Sequence, residues 1–370
     1  MKKDTAPRLR SVEGLTPPIE FELLANGTLG RDPAADFRLD HPTVSRRHAD
    51  IRVEGRKVEV TDLGSANGSR INGRALGRTA HLLADGDLVQ FGQVLFEYTH
   101  QVGATVTTGS QEKTVRPSVD AKRARMMQSD LRLARRIQYR LLPDEPPPLP
   151  GYEIDFSYTP ALAIGGDFYD VRTLPSGELA VTIGDVSGKG VSGAMYMVFT
   201  CAVLRARLAT SKGPAEFLTE LNQRICPVIE PGMFLTVATM FLNPTTHVCR
   251  LALAGHNPPV LRSASKKVVE MSLDPGHPIG SSPDLSIRDQ RFQLTPGDVM
   301  LFTTDGVEEG ENPAGEPFGN ERRNQVMRGA SGALDMNRRL RSALLQFCEA
   351  DVSTDDFTII AVERLSEEAD

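Results

Sequence analysis

The sequence predicts a multi-domain protein with an N-terminal all-β sandwich, a helical linker and a C-terminal α+β sandwich. Its 370 residues are long enough for two or three domains. Short β-rich runs separated by turn dipeptides fill residues 18–100, whereas strand and helix signals alternate over residues 150–366. A polar stretch and a proline-rich stretch separate these two regions and support the division.

The N-terminal region consists of short strands. Runs rich in β-branched and aromatic residues include Ile19–Leu24, Ala49–Val53 and Val94–Thr99, and Asn-Gly, Asp-Pro and Asp-Gly turns lie between them. Several short strands at close spacing are typical of a β-sandwich.

Two connecting segments follow. Residues 101–117 are rich in Thr and Gly and predict a flexible linker. Residues 118–142 predict a helix, which the prolines of PDEPPPLP (143–150) end. Apolar side chains at helical spacing form one stripe, with polar Gln138 at a skipped position: Met127, Leu131, Ala134 and Leu141. From this stripe we expect a homodimer, although packing of the helix on its own chain explains the stripe equally well.

The C-terminal region alternates strands and helices. Helix candidates are Gly193–Leu208, Pro214–Cys226 and Ala333–Ala350, and hairpin-like connections join several of the strand candidates between them. Such connections favour an α+β sandwich over a doubly wound parallel sheet.

Composition excludes several classes of protein. Trp is absent and aromatic residues make up 6%, which argues against a stacking platform for single-stranded nucleic acid. The four cysteines lie far apart, which argues against a disulfide scaffold or zinc site and fits a reducing compartment. No signal peptide is visible, and the longest apolar stretch, Gly193–Leu204, is too short to span a bilayer. We therefore expect a cytoplasmic protein.

Charge is unevenly distributed along the chain. The formal net charge is −6 overall, with +6 on residues 1–142 and −12 on residues 143–370. A basic N-terminal part suits an anionic partner, and an acidic C-terminal part suits bound cations. Neither part is basic enough to indicate a DNA-binding protein.

Three loop motifs of the N-terminal region share a phosphate-binding chemistry: Gly30-Arg31, Ser45-Arg46-Arg47-His48 and Asn67-Gly68. Arg31 can donate a forked pair of hydrogen bonds to a phosphate, and the hydroxyl of Ser45 can add to that clamp. Asn67 can hold the backbone of a bound peptide. Each motif alone is more often a structural turn, but together they indicate a phosphopeptide site.

Residues 18–100 resemble a forkhead-associated (FHA) domain, through LGRDPAADFRLDHPTVSRRHADI, VTDLGSANGSRINGRAL and LADGDLVQFG. The resemblance implies an eleven-stranded β-sandwich that binds phosphothreonine peptides. It implies ligand contacts for Arg31, Ser45 and Asn67, with Arg46 near the phosphate and His48 structural. Many members carry Thr or Ser where this chain has Ala66, which removes one peptide contact but leaves the phosphate clamp.

Four acidic motifs lie beside apolar strands of the C-terminal region: GGDFYD at 165–170, GDVSGKG at 184–190, TDG at 304–306, and DDFT at 355–358. Carboxylates at strand ends can converge at one edge of a sandwich, where cations must neutralise them. Oxygen ligands without His or Cys favour Mg²⁺ or Mn²⁺ over zinc. Two such cations would activate a water and bind phosphoryl oxygens. Any single Asp-Gly motif is more often a turn; Asp170 can simply cap one, and His256 is better explained as a turn residue than as a base.

Residues 135–364 resemble the SpoIIE-type branch of the metal-dependent (PPM) Ser/Thr protein phosphatases, through ARRIQYRLLP, IGGDFYDV, IGDVSGKGVSGAMYM, LAGHNPPVL, GDVMLFTTDGVEE and DDFTIIAV. The resemblance implies an αββα sandwich with a binuclear Mn²⁺/Mg²⁺ centre. It implies that Asp185 bridges both ions and that the Val186 carbonyl binds the second. Asp305 and Asp355 bind the first ion, and Asp167 supports the site. Asp356 is a weaker candidate ligand than Asp355.

Together these resemblances predict a bacterial, cytoplasmic, metal-dependent protein serine/threonine phosphatase that an FHA domain targets or regulates. The predicted domains are an FHA domain (18–100), a flexible linker (101–117), a linker helix (118–142) and a phosphatase domain (150–366). The family implies a STAS-type anti-sigma factor antagonist as substrate. Alternatives are a catalytically inactive FHA scaffold and a hydrolase of small phosphorylated metabolites. The linker threonines 105, 107, 108 and 114 are candidate sites for a Ser/Thr kinase.

Overall fold

The computed structural model describes residues 6–13, 19–55, 57–72, 74–77, 80–84, 86–100, 119–161, 164–188, 190–348 and 355–366. The chain divides into two compact units, Met1–Arg140 and Leu141–Asp370. The predicted linker 101–117, with its four threonines, lies outside the described residues.

The first unit is a β-sandwich with eleven strands among its described residues. One sheet has the order β2-β1-β11-β10-β7-β8 and the other β4-β3-β5-β6-β9, and all pairs except β3–β4 are antiparallel. The strands are β1 (Arg8–Glu13), β2 (Glu20–Glu22), β3 (Gly27–Gly30), β4 (Phe37–Arg38), β5 (Ala49–Glu54), β6 (Lys57–Asp62), β7 (Ser69–Ile71), β8 (Arg74–Leu76), β9 (His81–Leu82), β10 (Leu88–Phe91) and β11 (Val94–Thr99). This architecture confirms the all-β sandwich that the FHA resemblance implies.

Strand β1 was not predicted from the sequence. It pairs with β11, with an irregular register between Ser11 and Glu13. Half of its six residues, RLRSVE, are charged, and Leu9 is fully buried in the sandwich core. Charged residues make this segment look like a polar terminus, although Leu9 anchors it to the core as a strand.

A 23-residue helix, α1 (Val119–Leu141), follows. Its buried face differs from the predicted stripe: Met127 is exposed, whereas Arg135, Gln138 and Tyr139 are buried. Arg135 turns inward because its Nη2 lies 2.8 Å from Oδ1 of Asp87, a buried carboxylate of the sandwich.

The second unit is an αββα sandwich, which confirms the predicted fold class. Its antiparallel sheets have the orders β12-β21-β20-β17-β18 and β13-β14-β15-β16-β19. The strands are β12 (Tyr152–Thr159), β13 (Phe168–Thr173), β14 (Leu179–Val186), β15 (Leu235–Leu242), β16 (Val248–Ala254), β17 (Val260–Arg262), β18 (Val268–Glu270), β19 (Gln290–Gln293), β20 (Val299–Thr303) and β21 (Phe357–Arg364). Strands β14, β15, β20 and β21 are buried along almost their whole length, so other layers of the unit cover both of their faces.

Helices cover the outer face of each sheet. The helices are α2 (Val191–Arg207), α3 (Pro214–Ile225), α4 (Gly319–Gly329) and α5 (Ala333–Cys348). Helices α2 and α3 pack on β14, β15 and β16, while α4 and α5 pack on β18, β12 and β21. The apolar stretch predicted at Gly193–Leu204 belongs to a longer segment, Val191–Thr210, which among the described helices is long and apolar enough to cross a membrane by length and composition; the prediction that it is too short was therefore wrong. Helix α2 forms most of that stretch and packs on β14 and α3 as a layer of the sandwich.

Candidate functional sites

Three loops meet at one end of the first unit. The loop after β3 is held to the loop before β5, because Arg31 N–H donates to the Ser45 carbonyl (3.0 Å) and Asp32 N–H donates to the Arg46 carbonyl (3.1 Å). Gly30 allows this close approach, since a Cβ there would lie 2.1 Å from the Arg46 carbonyl oxygen. Glycine at the end of β3 is therefore required by packing.

His48 links the second loop to the third. Its Nδ1 accepts a hydrogen bond from Ser45 N–H (3.0 Å), so Nε2 carries the proton and donates to the Gly68 carbonyl (3.2 Å). The ring is fully buried, and burial lowers the pKa of His48, which keeps it neutral. The structure thus gives His48 an interior position that fixes two loops.

The polar side chains predicted to bind the phosphopeptide come together at this end. Oγ of Ser45 accepts a hydrogen bond from Ala66 N–H (3.0 Å), and Nδ2 of Asn67 donates to the Thr43 carbonyl (2.7 Å). Arg31 and Arg46 are exposed, and neither has an acidic partner within 4.0 Å among the described residues. Two arginines without acidic partners among the described residues therefore lie on the loops that also carry the Ser45 hydroxyl and the Asn67 amide. Although Ala66 has no side-chain hydroxyl, its backbone N–H helps to hold the Ser45 side chain in the site.

Asp62, which the sequence analysis missed, shapes the third loop. Burial would raise the pKa of Asp62, but hydrogen bonds from Ser69 Oγ, Ser65 Oγ, and the Ser65 and Gly64 amides lower it. The carboxylate thereby fixes residues 62–69 in the conformation that presents Asn67. The Asp-x-Gly-Ser spacing was the available sequence signal.

The second site lies at one end of the αββα sandwich. Asp185 is the penultimate residue of β14, and Asp167 immediately precedes β13. Asp305 follows β20, and Asp355 and Asp356 precede β21. Because β20 and β21 are antiparallel neighbours, with Thr303 opposite Ile359, the last three carboxylates lie at the same end of their sheet.

Asp167 connects the two sheets. Its Oδ2 accepts hydrogen bonds from Thr304 Oγ1 and Thr358 Oγ1, each at 2.7 Å, and Thr358 N–H donates to Thr304 Oγ1 at 2.9 Å. All three residues are almost fully buried. The two threonines belong to the TTDG and DDFT motifs, but the sequence analysis assigned them no role. They hold Asp167 in a fixed position behind the exposed part of the site.

Asp356 has a different environment from Asp355. Its Oδ1 accepts from Ala161 N–H and its Oδ2 from Gly166 N–H, each at 2.7 Å. Both oxygens thus anchor the segment that leads to Asp167. Gly165 is required there, since a Cβ would lie 2.2 Å from Oδ2 of Asp356. This arrangement favours Asp355 over Asp356 as a group that faces a ligand.

A cavity of about 40 Å³ lies between these groups. Its lining residues are Ala161, Ile164, Gly166, Asp185, Val186, Gly188, Gly190, Asp355 and Asp356. A Cβ at Gly166 would lie 2.9 Å from the Val186 carbonyl oxygen and 3.2 Å from Oδ1 of Asp185. The carbonyl and the carboxylate therefore face the same small space.

The carboxylates strongly perturb one another. Burial, followed by Asp305, Asp355 and Asp356, raises the pKa of Asp185 to about 7. Burial, followed by Asp185 and Asp356, raises the pKa of Asp167 well above its usual value. A bound cation would remove this destabilisation, and oxygen donors suit Mg²⁺ or Mn²⁺. Among the described residues, however, no three acidic, His or Cys side chains are arranged closely enough around one point to hold an ion. Ion binding would therefore involve a change in the conformation of these side chains.

His256 and Asp170, which also lie in the acidic and turn motifs of the C-terminal region, have structural roles. Burial lowers the pKa of His256 to about 4, and its Nδ1 lies 2.9 Å from Oγ1 of Thr236. Asp170 lies within β13, where its carboxylate pairs with the Arg172 guanidinium. The suggestion that Asp170 caps a turn is therefore wrong.

The sequence matches known families in both units. Residues 175–365, slightly more than half of the chain, match the family described as Stage II sporulation protein E (SpoIIE). The chain belongs to the SpoIIE family. Residues 27–92 match the FHA domain, so an FHA domain precedes the SpoIIE-type phosphatase domain.

Similar proteins come from several bacteria. Phosphoserine phosphatase RsbU of Bacillus subtilis is 26% identical over 64% of this chain and 71% of its own length. Protein IcfG of Synechocystis is 25% identical over 64% of this chain and 41% of its own length. Glycogen accumulation regulator GarA of Mycolicibacterium smegmatis is 47% identical over 17% of this chain and 39% of its own length. The chain thus covers less than half of IcfG and of GarA.

Solved structures share the fold of the second unit. The RsbU and RsbW domains of Rv1364c from Mycobacterium tuberculosis match with a TM-score of 0.50 and 26% identity, over 60% of this chain and 62% of that one. The SiaA-PP2C domain of Pseudomonas aeruginosa matches with a TM-score of 0.56 and 22% identity, over 66% of this chain and all of that one.

Proposed function

We propose that this protein is a metal-dependent phosphatase that removes phosphate from phosphoserine or phosphothreonine in a regulatory protein. The observation that carries the proposal is the cluster of mutually destabilising carboxylates around a small cavity in a SpoIIE-type domain. Such a cluster is costly without bound cations, and its oxygen donors match the ions that assist phosphoryl transfer. The likeness to phosphoserine phosphatase RsbU supports the same reaction class.

The proposed ligands are Asp185, which would bridge two ions, the Val186 carbonyl, Asp305 and Asp355. Bound Mn²⁺ or Mg²⁺ would supply an activated water and charge neutralisation at the phosphoryl group. Asp167, fixed by Thr304 and Thr358, supports the site from behind and forms a side-chain hydrogen bond with Asp185 that lowers the pKa of Asp185. Asp356 holds the cavity wall through its two backbone hydrogen bonds.

The FHA domain would bind a phosphothreonine protein through Arg31, Ser45, Arg46 and Asn67. Two exposed guanidinium groups without acidic partners in the described chain can pair with a dianionic phosphate. We further propose a cytoplasmic homodimer, a STAS-type anti-sigma factor antagonist as substrate, and a Ser/Thr kinase that creates the FHA ligand.

Substrate preference tests the function. The purified protein should hydrolyse p-nitrophenyl phosphate and phosphoserine peptides when Mn²⁺ is added, and should not do so after chelation. An inactive FHA scaffold would bind a phosphothreonine peptide but hydrolyse nothing. A metabolite hydrolase would turn over phosphorylated sugars or nucleotides faster than peptides.

Binding by the FHA domain has its own test. Arg31→Ala should abolish the calorimetric binding of a phosphothreonine peptide while p-nitrophenyl phosphate hydrolysis persists. Wild-type affinity in that variant would show that the phosphopeptide site is misplaced.

A further inference from the structure

The outward face of α2 is apolar where a sandwich helix is ordinarily polar. Val191, Met195 and Phe199, spaced four residues apart, are 57%, 64% and 39% exposed. The opposite face of α2 is also apolar and packs inside the unit. A helix exposed on one side normally carries charged residues there, and a contiguous exposed apolar patch marks an interaction surface.

The segment after α3 completes a groove with this face. Tyr196 Oη donates to the Val228 carbonyl (3.1 Å) and accepts from Glu230 N–H (2.9 Å), which fixes that segment against α2. Val228 is 54% exposed. The resulting α2 groove has a volume of about 470 Å³ and is lined by Ser192, Met195, Tyr196, Phe199, Val228, Glu230 and Met233.

The inner end of the α2 groove is the rim of the carboxylate cavity. Gly188 lines the cavity, and a Cβ there would lie 3.4 Å from Cε of Met233, which lines the groove. Gly190 also lines the cavity and directly precedes Val191. Ser187 and Phe234 are joined by two hydrogen bonds of 2.9 and 2.8 Å, which hold the two walls together.

We propose that the α2 groove binds apolar side chains of the phosphoprotein substrate, next to the phosphorylated residue. This inference rests on the proposed phosphatase function. Any protein that inserts a phosphoserine into a cavity of about 40 Å³ must lie across its rim, and the rim on this side continues into the groove. The groove then selects substrates whose phosphorylation site is flanked by apolar residues on one face of a helix or turn.

Matched peptides and variants test the groove. One phosphoserine peptide carries leucines three and four residues to either side of the phosphoserine, and its partner carries serines at those positions. The variants are Met195→Ser with Phe199→Ser, and the control is Leu334→Ser, because Leu334 is a similarly exposed residue on α5 in the opposite helical layer. Hydrolysis of p-nitrophenyl phosphate, which is too small to reach the groove, is the reference reaction.

The wild-type protein and the control should prefer the leucine peptide at least about tenfold in kcat/KM, mainly through KM. The double variant should lose this preference relative to p-nitrophenyl phosphate. Equal turnover of the two peptides by the wild type, or an unchanged preference in the double variant, would overturn the inference. So would a wild-type dimer that becomes a monomer in the double variant without a change in peptide preference, since the groove would then be an interface between copies. Absence of Mn²⁺-dependent p-nitrophenyl phosphate hydrolysis would instead overturn the phosphatase function, and this inference with it.

Discussion

Replacing Arg323 with methionine should destabilise the second unit, because it leaves a buried carboxylate without its cation. The Arg323 side chain is 6% exposed. Its Nη1 donates to Oε1 of Glu308 at 2.6 Å, and its Nη2 donates to Glu270. Removing one partner of a buried ion pair costs about 3–5 kcal/mol. Burial already raises the pKa of Glu308 in the presence of Arg323, so we expect the loss to lie at the lower end of that range.

The same change should weaken metal-dependent activity. Glu308 lies three residues after Asp305, in a turn that also contains a hydrogen bond from Glu309 N–H to the Asp305 carbonyl (2.8 Å). Thr303, which precedes this turn, donates to Glu308 as well (3.0 Å). The pair with Arg323 therefore holds both ends of the turn that carries Asp305. We expect the variant to need more Mn²⁺ for half-maximal hydrolysis of p-nitrophenyl phosphate.

Hydrogen exchange at increasing urea concentrations, measured on peptides from residues 299–348 of the full chain, provides the stability assay. Arg328→Met, at an exposed position of the same helix, is the control and should change stability by less than about 0.5 kcal/mol. The double variant Arg323→Met with Glu308→Met removes both charges and should be close to the wild type. If Arg323→Met is as stable as the control, or if the double variant is as unstable as Arg323→Met, then Arg323 does not stabilise the unit by neutralising Glu308.

Two other predictions concern separate parts of the chain. Gly30→Ala should abolish phosphothreonine-peptide binding in calorimetry but spare p-nitrophenyl phosphate hydrolysis, because a Cβ would lie 2.1 Å from the Arg46 carbonyl oxygen and force the loops apart; unchanged affinity would contradict this. Burial raises the pKa of Asp155 from 3.8 to about 7, so the stability that its neutral form contributes is present below about pH 4 and lost as pH rises through about 7. Asp155→Asn should therefore gain on the order of 4 kcal/mol relative to the wild type between pH 4 and pH 8 in urea unfolding, and parallel stability curves would disprove the assignment.

Local sequence patterns predicted most of the architecture, because strands and turns leave local signals. Turn dipeptides and short β-rich runs predicted the first sandwich, and hairpin-like connections predicted the second. Strand β1 was not predicted because half of its residues are charged, as in a polar terminus, and its pairing with β11 and β2 is visible only in the folded sheet. The buried face of α1 was not predicted correctly because Arg135 turns inward toward Asp87. Asp87 is distant in the sequence, so helical periodicity does not indicate this contact.

The candidate site was predictable to the extent that each carboxylate lies at the end of an apolar strand. The roles of Thr304 and Thr358 could not be predicted from the sequence, because their hydrogen bonds to Asp167 form only when the two sheets pack together. The distinction between Asp355 and Asp356 came from the resemblance alone. The structure adds a physical reason, since both oxygens of Asp356 accept backbone N–H groups.

In the proposed mechanism, Asp185 holds the metal ions of a phosphatase. The most direct measurement compares Mn²⁺-dependent hydrolysis of p-nitrophenyl phosphate by the wild type and by Asp185→Asn, together with Mn²⁺ binding in calorimetry. Asparagine keeps the shape of the side chain but removes its charge, so the variant should stay folded. We predict that it loses Mn²⁺ binding and at least about 100-fold in activity. Full activity in Asp185→Asn, or wild-type hydrolysis that does not depend on added metal, would contradict the account.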